Sequence, residues 1–387
     1  AGGLIGAIFH HSIDMAEVFR SPHPWLLWLL PIAGLLIVGF YKMTKTEGLN
    51  TNHVIRAVHK GKKLSVMLMP AIFFATVLTQ LCGGSAGREG AALQMGGTIG
   101  QWIGRGLHLD DSDLRIATLA VLFSTVWNAA CGGSIRCHGN QHRDFISCGT
   151  CSVPDCIAFG LFSGRSTGRA AGSLCGSGSR SFGDYFLSGR ISWNFVCTRI
   201  HFFLHDAEKG MRKILPNAWL RVLAGAGIII VLTYLCGTND YNGVGMGVIA
   251  AAIEEGKAEP LAFLLKLVFT SVTLAAGFKG GEIVPSFFVG AAFGCVIAPL
   301  IGLPAGFGAA VGLVSVFCGV TNCTISSVFL SIEIFGAEGM LYFAVACCIS
   351  YMMSGYRGIY SSQMIMYSKR KAKFINAYTN GEKGTDA

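Results

Sequence analysis

Apolar runs broken by short polar or glycine-rich stretches dominate most of the chain. The pattern predicts helices over Trp25–Tyr41, Leu64–Cys82, Leu114–Ala130, Trp219–Cys236, Leu261–Phe278, Ile283–Leu303, Ala305–Phe317 and Met340–Met353. Several come near the roughly 20 residues a helix needs to cross a bilayer, and others are clearly shorter. Short spans interrupted by Gly or Pro predict broken helices, which are tolerated only where they line a cavity inside protein. Residues 1–368 therefore read as one multi-pass helical domain embedded in lipid, and 369–387 as a polar cytoplasmic tail.

The stretch from Cys131 to Cys197 breaks this pattern. It concentrates Cys, Ser and Gly with scattered Arg and sustains neither a helical nor a strand period. A structureless loop of that length does not suit a compact domain. The stretch reads instead as out of frame. A one-base shift allows His138-Gly139-Asn140 to become Met-Glu-Ile, and Gln141–Cys148 to become a run of membrane-helix residues. An undisrupted frame in the gene would overturn that reading. The abrupt opening Ala1-Gly2-Gly3 reads as a truncated N-terminus.

Composition agrees with a membrane chain. Of 387 residues, 52% are hydrophobic and only 13% charged, and mean hydropathy is +0.54. A soluble domain carries about a quarter charged residues. The 14 Cys fall in apolar runs or in the anomalous stretch, so they do not suggest a disulfide framework. The net charge of +9 comes partly from clusters such as Lys60-Gly61-Lys62-Lys63 and Lys369-Arg370-Lys371, which flank apolar spans. That placement fits cytoplasmic loops better than a nucleic-acid surface.

Two glycine loops carry the chemistry. Cys82-Gly83-Gly84-Ser85-Ala86-Gly87-Arg88-Glu89-Gly90 follows one apolar helix and opens another, and Ala276-Gly277-Phe278-Lys279-Gly280-Gly281-Glu282-Ile283-Val284-Pro285 does the same. This echo predicts a two-repeat transporter. A helix that starts at such a loop presents unpaired N–H groups and the positive end of its dipole, which attract anions. Partial charges hold a halide without trapping it. Glu89, at the second helix's start, competes for that place when ionised and leaves it when protonated. Its alternative role is to cap the helix or pair with Arg88. Glu282 faces the same choice, with Lys279 as the alternative partner.

These loops, with Gln94 and Gly358-Ile359-Tyr360, resemble the CLC family of chloride channels and anion/proton antiporters. The resemblance covers about residues 1–130 and 200–370. It implies an inverted repeat of tilted, broken helices in a homodimer of the plasma or inner membrane. It also implies a voltage-gated chloride channel or an anion/proton antiporter, with no cofactor and with halide and protons as transported ligands. By resemblance Glu89 is the gate. Backbone around Gly87, Arg88, Glu89, Gly90, Glu282, Ile283 and Val284 lines the anion site, and Tyr360 donates its hydroxyl to the ion. Without the resemblance, Tyr360 reads as an interfacial anchor. Three departures stand out. Ala91 replaces the family's Pro. Gly48-Leu49-Asn50-Thr51-Asn52 lacks the serine of the family's first loop and places Leu49 near the ion. Glu282 follows the second Gly-Gly. Together they look like the fluoride/proton antiporter branch, with chloride the alternative.

Other readings are a zinc site at Cys148 and Cys151 with His138 and His142, and a membrane protein without transport. His10, His11 and His53 read as surface or interfacial residues rather than proton relays.

Overall fold

The computed structural model describes residues 2–60, 63–131, 206–369 and 374–379. The expected frame-shifted stretch and the possible zinc ligands between His138 and Cys151 lie outside the described residues. Helices account for nearly all of the fold. The first half comprises α1 (Gly2–Arg20), a 3-10 turn (Pro24–Leu29), α2 (Leu30–Met43), α3 (Thr51–Lys60), α4 (Leu68–Leu81), α5 (Glu89–Gly106) and α6 (Asp111–Cys131). The second comprises a helical stretch over 206–214, α7 (Ala218–Cys236), α8 (Met246–Ala250) running into a π turn (Ala251–Glu255), α9 (Ala262–Ala276), α10 (Ile283–Leu300) and α11 (Ala305–Thr321). Helices α12 (Thr324–Phe335) and α13 (Met340–Met353) follow, then an antiparallel hairpin of β1 (Met364–Tyr367) and β2 (Phe374–Tyr378).

The halves repeat at a constant interval. Leu68 and Ala262, Glu89 and Ile283, and Asp111 and Ala305 open matching helices 194 positions apart (262 − 68, 283 − 89, 305 − 111). The packing repeats too. A side chain at Gly96 or Gly100 of α5 would strike the α6 backbone at Leu122 or Thr118, and one at Gly290 or Gly294 of α10 would strike Gly312 or Gly308 of α11. Such small-xxx-small stripes let membrane helices approach backbone to backbone.

Each glycine loop begins on a left-handed glycine, Gly83 at φ +86° and Gly277 at φ +109°, where the preceding helix ends. Only glycine takes such a φ without penalty. Within each half, the loop thus ends one helix and starts the next.

Among the described residues, three stretches are long and apolar enough to cross a membrane, Pro24–Met43, Ala218–Cys236 and Ile283–Leu300. Leu36, Met43, Leu220 and Val231 stand exposed on two of them. The expected polar tail is partly a strand, because β2 pairs with β1 across the 368/369 boundary.

Candidate functional site

The two glycine loops meet. The Gly87 N–H donates to the Gly281 carbonyl at 2.7 Å, and the Gly281 N–H returns a bond to the Gly87 carbonyl at 2.6 Å. This isolated antiparallel bridge joins matching positions of the two halves, as an inverted repeat requires. Two residues beyond it, α5 and α10 begin at Glu89 and Ile283. Their N-cap residues share one conformation, Arg88 at φ −104°, ψ −22° and Glu282 at φ −100°, ψ −12°. The first helical bonds come from Ala92 N–H to the Arg88 carbonyl and from Ser286 N–H to the Glu282 carbonyl. The N–H groups of Glu89, Gly90, Ile283 and Val284 precede them and have no carbonyl one turn back. Two positive helix ends therefore face one small volume.

The contact leaves no room for side chains. A Cβ on Gly281 would lie 2.8 Å from the Gly90 nitrogen, and one on Gly90 would lie 3.1 Å from the Gly281 Cα. Helix α9 supports the first loop: the Ser85 N–H donates to Thr273 Oγ1 at 3.2 Å, and Ser85 Oγ lies 3.0 Å from Thr270 Oγ1. From α4, Gln80 Nε2 donates to the Ala86 carbonyl.

Glu89 is 4% exposed. Its Oε2 accepts the Arg88 N–H at 3.1 Å, while Oε1 lies 3.8 Å from Arg88 Nε and has no hydrogen-bond partner. A buried carboxylate oxygen without a donor is costly. Glu89 thus makes the contacts of its alternative roles, an N–H bond at the helix start and an ion pair with Arg88, while Oε1 has no hydrogen bond. Arg88 bridges two carboxylates, its Nη1 donating to Asp14 Oδ1 of α1 at 3.0 Å. His10 Nε2 lies 3.0 Å from Asp14 Oδ2. His10 is thus buried against α1's own carboxylate, unlike the surface residue expected, whereas His11 and His53 are exposed.

A cavity of about 370 Å³ reaches this junction from one side, lined by Thr51, Asn52, Gly90, Gly281, Glu282 and Tyr360 among others. Of the residues expected at the ion site, Gly90, Glu282 and Tyr360 line it, while Gly87, Arg88, Glu89, Ile283 and Val284 are not among its walls. Leu49 stands beside it instead. Its N–H donates to the Thr46 carbonyl, and its side chain packs against the Val54, Val58 and Leu68 cluster. Thr51, at the start of α3, stands nearer the junction and accepts a 2.9 Å bond from Gln94 Nε2. The alternative partner of Glu282 is also elsewhere: Lys279 Nζ lies 4.7 Å from the Tyr41 ring centroid.

The Tyr360 loop is fixed from three directions. Ile359 N–H donates to Val320 O of α11 at 2.9 Å. Ser362 N–H donates to Asn52 Oδ1 of α3 at 3.3 Å, and Arg56 Nε donates to Ser362 Oγ at 2.8 Å. The buried Thr379, past β2, donates its hydroxyl to the Tyr360 carbonyl at 2.6 Å. Asp14 and Thr379 had no visible signal in the sequence, because each acts across a distance that only the fold closes, and in the Gly48–Asn52 loop the sequence pointed to Leu49 rather than to Thr51 and Asn52. Among the described residues no group of three or more His, Cys, Asp or Glu could hold a metal.

The profile of the voltage gated chloride channel family matches residues 29–150 and 194–355. A chloride/fluoride channel protein of Pseudomonas syringae pv. tomato is 30% identical across 95% of this chain and 84% of its own. The H(+)/Cl(−) exchange transporter ClcA of Cronobacter sakazakii is 24% identical across 86% of this chain and 79% of its own. Among solved structures, a CLC-type fluoride/proton antiporter matches with a TM-score of 0.76 at 24% identity over 94% of both chains. A slow cyanobacterial Cl−/H+ antiporter matches with a TM-score of 0.69 at 18% identity over 91% of both. At these identities the two structures speak for the fold.

Proposed function

Because the chain belongs to the voltage-gated chloride channel family, we propose that it exchanges halide ions for protons across a membrane and handles fluoride in preference to chloride. One observation carries this reading. The reciprocal Gly87–Gly281 bonds hold two helix N-termini together with Glu89 between them. A dehydrated halide there meets the N–H groups of Glu89, Gly90, Ile283 and Val284, which replace part of its water shell. The ionised Glu89 carboxylate occupies the same positive field and excludes the ion. Protonated, it yields the place, so one proton moves against the anion. Tyr360 closes the inner side and offers its hydroxyl to the ion.

Fluoride is favoured by the polar Asn50, Thr51 and Asn52 in place of a serine loop, by Ala91, and by Glu282 at the second N-cap. The name of the chloride/fluoride channel relative covers both halides. The protein acts as a homodimer in the plasma or inner membrane, each subunit with its own pathway, and responds to voltage because charge moves during exchange.

Fluoride and chloride efflux from liposomes containing the full-length protein tests the proposal. Fluoride should leave faster at equal gradients. Equal rates would remove the preference, and no halide movement at all would defeat the transport reading.

A further inference from the structure

A second cavity, of about 600 Å³, lies between the C-terminal end of α2 and the N-terminal end of α7 and behind the Gly277–Lys279 turn. A volume of that order holds a small molecule rather than one ion. Its cations are Lys42, Arg212, Lys279 and Arg221, and its carboxylates are Glu47 and Glu208. Glu208 is taken by Arg212 at 2.6 Å. Beyond that pair, Lys42, Lys279 and Arg221 outnumber the exposed Glu47, a surplus of positive charge in a half-enclosed space.

The polar groups inside are incompletely satisfied. Tyr41 is 4% exposed, yet its hydroxyl has no hydrogen-bond partner among the described residues. The buried Nε of Arg221 has none either, and its Nη1 reaches only the Leu215 carbonyl at 3.5 Å. Native interiors rarely leave buried donors unpaired, so these donors call for an acceptor that enters from outside. Lys279 lies over the Tyr41 ring, with its ammonium on the same side of the cavity.

The remaining wall is apolar, from Ile37, Val38, Leu274 and Phe278. At the rim, Lys42 Nζ lies 5.3 Å from the Trp219 ring centroid. A Lys stacked on a Trp at the end of an apolar span is a typical interface anchor. Leu220 and Leu223 continue from Trp219 along the exposed face of α7. A cationic pocket opening onto a greasy stripe at the membrane's edge suits an amphiphile with an anionic head.

We propose that this cavity binds the phosphate of an anionic phospholipid headgroup, with Lys279, Arg221 and the Tyr41 hydroxyl as its donors and the acyl chain along Leu220 and Leu223. A bound lipid would brace α2 against α7 beside the loop that carries Glu282.

The test uses full-length protein in phosphatidylcholine nanodiscs with or without phosphatidylglycerol, with retained lipid counted by native mass spectrometry. Wild type should retain phosphatidylglycerol over phosphatidylcholine. Lys279→Gln or Arg221→Gln should each weaken retention about fivefold and the double variant roughly thirtyfold, whereas Lys279→Arg with Arg221→Lys, which keeps both charges, should weaken it less. Millimolar inorganic phosphate should not displace the lipid. Unchanged retention in the Gln double variant would overturn the site. Displacement by free phosphate would overturn the lipid assignment in favour of an aqueous phosphate.

Discussion

The two glycine loops share one backbone and differ in their side chains. Both begin on a left-handed glycine, bridge through Gly87 and Gly281, and start helices from N-caps of nearly equal φ and ψ. At matching positions, however, Arg88 faces Glu282 across the repeat, and Glu89 faces Ile283. In the first half the basic N-cap is held by Asp14 and the carboxylate is buried at the junction. In the second, a half-buried carboxylate is the N-cap and lines the inner cavity with Glu208, while Ile283 fills the buried position. Positions 14 and 208 themselves correspond (208 − 14 = 194), so one loop meets an opposite charge where the other meets a like one. On the proposed reading, the shared backbone supplies the anion site, and the unlike side chains give it direction, with Glu89 as the gate at one helix end and Glu282 as the N-cap at the other.

Alanine substitutions at the bridge test the shared backbone most severely. At Gly281 the new methyl meets the backbone nitrogens of Gly90 and Glu89, 2.8 and 3.2 Å away. Gly281→Ala should cost about 1–3 kcal/mol in a thermal melt and abolish both anion and proton flux. At Gly87 the methyl meets the movable Glu89 Oε2 at 2.7 Å. Gly87→Ala should therefore destabilise less while displacing the gate. Equal effects from the two substitutions would break the distinction between a fixed and a movable neighbour.

The unlike side chains predict a smaller, one-sided effect. Glu282→Gln removes a negative charge from the inner cavity only. It should lower the KM for anion supplied from that side by roughly fivefold, the worth of about 1 kcal/mol of repulsion in a wet site. The outer-side KM should not move. A symmetric change, measured by one-sided titration of oriented vesicles, would place Glu282 at the junction itself.

The smallest effect concerns the tail. Thr379→Val loses the bond to the Tyr360 carbonyl, worth about 1 kcal/mol, and should loosen the inner wall. It should raise the inner-side KM while leaving maximal turnover nearly unchanged. Thr379→Ser restores the hydroxyl and should restore the KM. Failure of Ser to rescue would show that packing, and not the hydrogen bond, holds the loop.

Much of this was legible in advance. The eight predicted spans each overlap a helix, and the two loops were recognisable because Gly, a charge and a helix start recur in the same order. The helices that the apolar pattern did not predict show what periodicity misses. Helix α1 carries His10, Asp14, Glu17 and Arg20, charges that look extramembrane until Arg88 arrives from another helix. Helix α12 is only 12 residues, with three serines that bond back to their own backbone or pack internally. Leu49 was placed at the ion because the loop's residue order resembled a family pattern. The chain turns there, giving Leu49 to an apolar cluster and Thr51 to the cavity. The hairpin was hidden because Lys369-Arg370-Lys371 made 369–387 read as a polar cytoplasmic tail.

The most direct test of the account compares wild type with Glu89→Gln in liposomes under an outward fluoride gradient, recording fluoride with an electrode and protons with an interior dye. Wild type should drive protons inward against their own gradient as fluoride leaves. The Gln variant should continue to release fluoride while moving no protons. Proton movement that persists in Glu89→Gln, locked to fluoride as in wild type, would contradict the assignment of Glu89 as the gate between the paired helix ends.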